Sequence, residues 1–149
     1  MTGGELERAR HIHGWVSRLD PRLQSKCGDR LKGAPAQMMD NGLLQTLAFF
    51  NAKGGEDDGA DRGRGRRRNE YGLIADAVVD WLRERKLLRP DGSALQAIAG
   101  LSGPQYRRCS EEAIAWLNWA KRLALARVAM EEESGSAEDV RAPARGGRS

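Results

Sequence analysis

The sequence predicts an all-α protein: a compact bundle of about five to six helices with a long C-terminal helix. Three observations carry that prediction. Apolar residues recur at intervals of three and four through most of the chain, the spacing that places side chains on one helical face. Alternating apolar and polar runs, which a half-buried strand requires, are absent. Glycine, proline and asparagine gather between the periodic segments, where they punctuate the chain. A length of 149 residues fits a single domain, expected at 1–130. Within it, 54–69 is expected as a mobile charged loop, and 131–149 as a disordered tail.

The elements follow in order. Leu6, Ala9, Ile12 or His13, Val16 and Leu19 keep a helical period, so the chain opens with a helix that ends near Asp20-Pro21 or bends past it. Gly28 and the Gly33-Ala34-Pro35 step punctuate the chain before a short helix, Ala34 to Asp40. Asn41-Gly42 turns the chain, because both residue types tolerate left-handed backbone angles. Leu43 to Lys53 is a helix with Leu43, Leu44, Leu47, Ala48 and Phe50 toward the core. From Gly54 to Arg68 no apolar residue is larger than alanine, so burial cannot offset the entropy of ordering. Tyr71 to Lys86 is helical, with Tyr71, Ile74, Ala75, Val78, Trp81, Leu82 and Arg85 on one face. Pro90-Asp91-Gly92 is a turn, and Ser93 caps a short helix through Leu101.

The last helix, Tyr106 to Met130, is the most informative. Cys109, Ala113, Trp116, Leu117, Ala120, Leu123 and Ala124 share an arc at about 100° per residue, while Arg107, Arg108, Asn118, Lys121 and Arg122 fall away from it. Ser102 and Gln105 have capping-box spacing, with Pro104 in the first turn. Arg107 to Glu111 and Arg108 to Glu112 are i,i+4 pairs in the weaker orientation, worth roughly a few tenths of a kcal/mol each.

The net charge is +4, and it is unevenly spread. Residues 1–53 carry 8 basic and 5 acidic groups, and 71–130 carry 9 and 6, so each segment is +3. The intervening 54–70 balances at 5 and 5, and the segment from 131 carries 3 and 5, or −2. A basic helical body suits a polyanion. The stretch from Arg62 to Arg68 is either a phosphate clamp or a solvated loop neutralised by Glu56, Asp57, Asp58 and Asp61.

Cys27 and Cys109 have no CxxC spacing and read as buried thiols. No apolar run suggests a signal peptide or a membrane span, which leads to a cytoplasmic expectation. His11 and His13 are i,i+2 on a helix and point apart, so they do not form a shared metal or proton site. No nucleophile motif, phosphate loop or clustered carboxylates accompany them. The expectation is no enzyme, no cofactor and no metal.

Two segments then stand out together: Ala34-Pro35 through Asn41-Gly42-Leu43-Leu44-Gln45-Thr46-Leu47-Ala48-Phe49-Phe50, and Tyr106-Arg107 through Glu112-Ala113-Ile114-Ala115-Trp116-Leu117-Asn118-Trp119-Ala120-Lys121-Arg122-Leu123-Ala124. As an ordered pair they resemble the small subunit of the Cmr effector complex of type III-B CRISPR systems. The resemblance covers 5–130 loosely and these segments closely; Ala120 stands where the family often has leucine. It implies a non-catalytic helical bundle, copies of which stack beside the backbone and large subunits to form a basic channel for target RNA along the guide RNA. On that reading Arg107, Arg108, Lys121 and Arg122 face RNA, with Lys26, Lys32 and Lys53 as lesser candidates. Trp119 and Asn118 meet a neighbouring copy. Competing readings are a stand-alone helical nucleic-acid-binding regulator and a helical protein adaptor.

Overall fold

The computed structural model describes residues 3–55 and 68–146, with side chains after Ala126 left out. Seven helices and no strand occur among the described residues: α1 (Gly3–Ser17), α2 (Pro21–Leu31), α3 (Ala34–Asn41), α4 (Leu43–Lys53), α5 (Glu70–Glu84), α6 (Ala94–Ala99) and α7 (Gly103–Gly146). The additional helix is α2. Asp20 caps it, its carboxylate accepting from the Leu23 amide at 2.9 Å, and Pro21 begins it. Proline at a helix start forfeits no internal hydrogen bond, so the chain breaks cleanly there instead of bending α1.

Local chemistry sets the other boundaries. Gly42 adopts φ +88 between α3 and α4, a conformation open to glycine at little cost. Asn69 caps α5 by accepting from the amides of Tyr71 and Gly72, and Ser93 caps α6 through Gln96. The Ser102–Gln105 box is reciprocal: the Gln105 amide donates to Ser102 Oγ at 3.3 Å, and the Ser102 amide donates to Gln105 Oε1 at 3.0 Å. It therefore starts α7 at Gly103, three residues before the expected start. At the other end the backbone stays helical to Gly146, past Met130 and through most of the stretch expected to be disordered.

Helices α1, α2, α3, α4 and α5 all pack on α7, while α5 also receives α1, α2 and α4. Between them lie Trp81 and Trp116, with Trp15 tilted onto Trp116 at 5.3 Å between ring centroids. The α7 stripe is buried as its spacing predicts at Cys109, Ala113, Trp116, Leu117 and Ala120, while Leu123 and Ala124 are half-buried against the core. On α4 the wheel is rotated slightly. Thr46 is buried, its hydroxyl donating to the Gln37 carbonyl at 3.4 Å, whereas Ala48 is exposed and Leu44 half-buried.

The expected charged loop lies mostly outside the described residues, at 56–67, but both of its ends are fixed. The Asn69 amide donates to the Gly54 carbonyl at 3.2 Å, and its side-chain amide donates to the Lys53 carbonyl at 2.7 Å. Arg68 donates to Asn51 Oδ1 at 2.6 Å and to the Gly55 carbonyl at 3.1 Å, and it pairs with Asp76 at 3.0 Å. A Cβ on Gly54 would lie 2.4 Å from the Gly72 Cα, so α4 and α5 meet through two glycines. Arg68 is thus a structural cation rather than part of an arginine clamp.

Candidate nucleic-acid interface

The outer face of α7 is set by what the inner face buries. With the Cys109-to-Ala120 stripe committed to the core, residues on the opposite arc must meet solvent. Arg107, Arg108 and Arg122 are exposed, and Lys121 and Asn118 are half-buried. The two basic pairs lie 14 residues apart, or about 21 Å along the helix axis, with Glu111 between them. None of Arg107, Arg108, Lys121 and Arg122 forms an ion pair among the described residues. The anticipated Arg108–Glu112 pair does not form, because Glu112 turns the other way: it accepts from Arg8 at 2.6 Å and lies 3.7 Å from Arg85 Nε. A half-buried carboxylate gains more from two guanidiniums than from one exposed neighbour.

The lesser candidates are dispersed. Lys26 is exposed on α2, and Lys32, at the end of α2, lies 3.6 Å from Asp29. Lys32 also borders a groove walled on the α7 side by Ala120, Ala124 and Leu125, which sets it near the Lys121 end of that helix. Lys53 is elsewhere, beside the Phe49 ring at the end of α4. Trp119 is half-buried against the core cluster, and Arg122 lies over its ring at 5.9 Å. Leu125 is exposed on the same helix.

Two clusters were not legible from spacing. In one, His11 joins α1, α5 and α7: Trp116 Nε1 donates to His11 Nδ1 at 2.9 Å, and His11 Nε2 lies 2.8 Å from Asp80. With Nδ1 accepting, the neutral ring carries its proton on Nε2 and donates it to Asp80. Asp80 and Glu84 place a carboxylate set around Nε2 that has the composition of a metal site. The indole argues against one. A neutral imidazole ligating through Nε2 must carry its proton on Nδ1, where it would oppose the Trp116 N–H. His11 therefore reads as a structural junction, while His13 is exposed and separate from it.

The second cluster lies at the side of α4 and α5, where Phe49 meets Tyr71 edge-on at 6.2 Å and Phe50 meets Tyr71 at 5.5 Å. Arg30 of α2 covers Tyr71 at 4.8 Å. Consecutive phenylalanines at 49 and 50 are the signal in the sequence: Phe50 continues the stripe of Leu43 and Leu47 into the core, and Phe49, about 100° round the helix from it, is left at the surface.

The two cysteines are buried. Burial, with Glu70 nearby, pushes the Cys27 thiol up to about 12. Burial also raises Cys109, against a smaller opposing pull from Arg108. Neither is a reactive thiolate. No helix among the described residues is long and apolar enough to cross a membrane.

A family model described as CRISPR-associated protein (Cas_Cmr5) matches residues 4–127. The chain belongs to that family. Cas_Cmr5 proteins are the small, structural subunit of the type III-B Cmr complex. The matched span runs from α1 into α7 and takes in both segments that carried the resemblance.

Proposed function

We propose that this chain is the non-catalytic, stacking small subunit of a type III-B Cmr ribonucleoprotein, that it presents the outer face of α7 to target RNA, and that it helps scaffold the complex in antiviral defence. Its partners on this reading are the Cmr backbone and large subunits, copies of itself, guide RNA and target RNA. One observation carries the proposal. Arg107, Arg108, Lys121 and Arg122 are left without carboxylate partners among the described residues, whereas Arg8, Arg30, Arg68 and Arg85 all have one. Unpaired cations along a helix neutralise phosphates without reading bases, as suits a complex in which base pairing selects the target.

Trp119 and Asn118 are the proposed contacts with the next copy, supported by the part of the indole that the core leaves uncovered. The test is Lys121→Ala/Arg122→Ala in the assembled complex. Loss of two phosphate contacts should lower the slope of log affinity against log salt by about 1.4 for each copy on the strand, at roughly 0.7 per contact on single strands. An unchanged slope would remove α7 from the RNA channel. Co-purification with a guide RNA and large Cmr subunits separates this reading from a stand-alone regulator, which would purify without them.

A further inference from the structure

The side of the bundle formed by α2, α4 and α5 carries a second feature that the α7 face does not use. Phe49 is 42% exposed, on a helix whose buried stripe is already filled by Leu43, Leu47 and Phe50. Its ring is not loose: it is held edge-on against Tyr71 and beside Phe50. Two cations flank the pair, with Lys53 Nζ 5.8 Å from the Phe49 centroid and the Arg30 guanidinium 4.8 Å from the Tyr71 centroid. Arg30 pairs with Glu70 at 3.5 Å, yet the Glu70 carboxylate is only 13% exposed while the arginine remains 46% exposed. The acid is tucked beneath and the cation faces out.

We propose that Phe49, Tyr71, Arg30 and Lys53 form a stacking platform for one unpaired base of a single-stranded RNA, with Lys53 taking the flanking phosphate and Arg30, paired with Glu70, holding the Tyr71 ring. This rests on the reading that the chain meets RNA, but it assigns a different surface and a different chemistry. Aromatic rings and guanidinium planes accept splayed bases, whatever their identity, through their π-faces. Lysine at 5.8 Å from the ring lies near the outer limit of a useful cation–π contact, so little holds it there when a phosphate approaches. The ring pair is already ordered by its mutual packing, which lowers the entropic cost of binding. An exposed phenylalanine between two cations fits this ligand better than an apolar peptide, which would leave both charges facing an uncharged surface.

The full chain is titrated at low salt with a uridine oligomer and with an abasic ribose-phosphate strand of the same length, comparing the unaltered protein with Phe49→Leu. Leucine keeps apolar bulk at a partly exposed site and removes the π-face, and circular dichroism confirms that the fold is kept. The expected result is about a tenfold loss of affinity for the uridine strand, the lower end of what one base–aromatic stack contributes, with no change for the abasic strand. Equal affinity of Phe49→Leu and the unaltered chain for uridine overturns the platform, as does an equal loss on both strands or failure of the unaltered chain to prefer bases. A fault in the α7 reading shows separately, as an unchanged salt slope in Lys121→Ala/Arg122→Ala. Loss of assembly with other Cmr subunits, with uridine binding intact, makes this patch a protein contact and refutes the proposal.

Discussion

The His11–Trp116 hydrogen bond is the most informative single perturbation of the bundle, since it joins α1 to α7 inside the core. In His11→Leu the Trp116 indole, fully buried, keeps its N–H and loses its acceptor, His11 Nδ1. A buried donor left unsatisfied costs about 1–3 kcal/mol. The leucine also forfeits ring contacts with Trp81 at 5.1 Å and Trp116 at 6.0 Å, each worth about 0.5–1.5 kcal/mol beyond area. Asp80 is mostly exposed, and losing its contact costs about 1 kcal/mol or less. The expected destabilisation is therefore about 2–7 kcal/mol, read by urea unfolding monitored by circular dichroism. Trp116→Phe removes the donor instead, and the double variant removes both. Because the two residues share one bond, the double-mutant cycle should show about 1–2 kcal/mol of coupling. Costs that add to within about 0.5 kcal/mol would mean that the bond does not contribute.

The same geometry makes a second, opposite demand on the carboxylates around His11. Zinc should not raise the melting temperature of the unaltered protein, since ligation at Nε2 puts a proton on Nδ1 against the indole N–H. Trp116→Phe relieves that conflict and should acquire a modest zinc-dependent stabilisation. A zinc effect in the unaltered chain, abolished by Asp80→Asn, would refute the tautomer assigned to His11.

Three further outcomes are expected. Joining Gly55 directly to Arg68, with 56–67 removed, leaves a four-residue turn closed by the existing Asn69-to-Gly54 hydrogen bond, so denaturant stability should hold or rise by up to about 1 kcal/mol; adding Arg68→Ala to this deletion should cost about 2 kcal/mol or more, through the bonds to Asn51 and Gly55. Gly72→Ala should lower the melting temperature measurably, because a Cβ there meets the Arg68 guanidinium at 2.5 Å. For Cys27 the folded thiol sits at about 12 against an ordinary value of 9.0, so above pH 9 the unfolded chain ionises first. Its contribution to stability is intact below 9 and is lost as pH rises toward 12; comparison with Cys27→Ala across that window, by urea midpoint, should show the difference narrowing.

Much of the fold was legible because its determinants are local. Asp20-Pro21, Asn41-Gly42, Ser93 and the Ser102–Gln105 box each set a boundary within a turn of themselves, and the α7 stripe follows from helical periodicity alone. The site was less legible because its charges are sorted by tertiary neighbours. Arg108 and Glu112 have ideal spacing for a pair, yet Arg8 arrives from 104 residues away and takes the acid. Arg68 reads as the last member of an arginine run, and only the approach of α4 to α5 shows that it is a structural tie. Nothing near His11 in the sequence announces that Trp116 will point at it.

That sorting explains why net charge is a poor guide to this surface. Five acidic groups, Glu7, Asp29, Glu70, Asp76 and Glu112, are spent on Arg85, Lys32, Arg30, Arg68 and Arg8, which removes those pairs from the long-range field. What remains among the described side chains of α7 is two cationic doublets about 21 Å apart, flanking Glu111. One such strip gives few phosphate contacts and weak binding, because each contact is screened within about 8–10 Å at ordinary salt. Repetition changes the arithmetic: once one copy holds the strand, the next meets it at a raised effective concentration, and the small salt slopes add. A face too weak to bind RNA as a single copy is therefore consistent with strong retention in a stack, and the salt slope of the assembly, rather than the affinity of the isolated chain, measures what the doublets do.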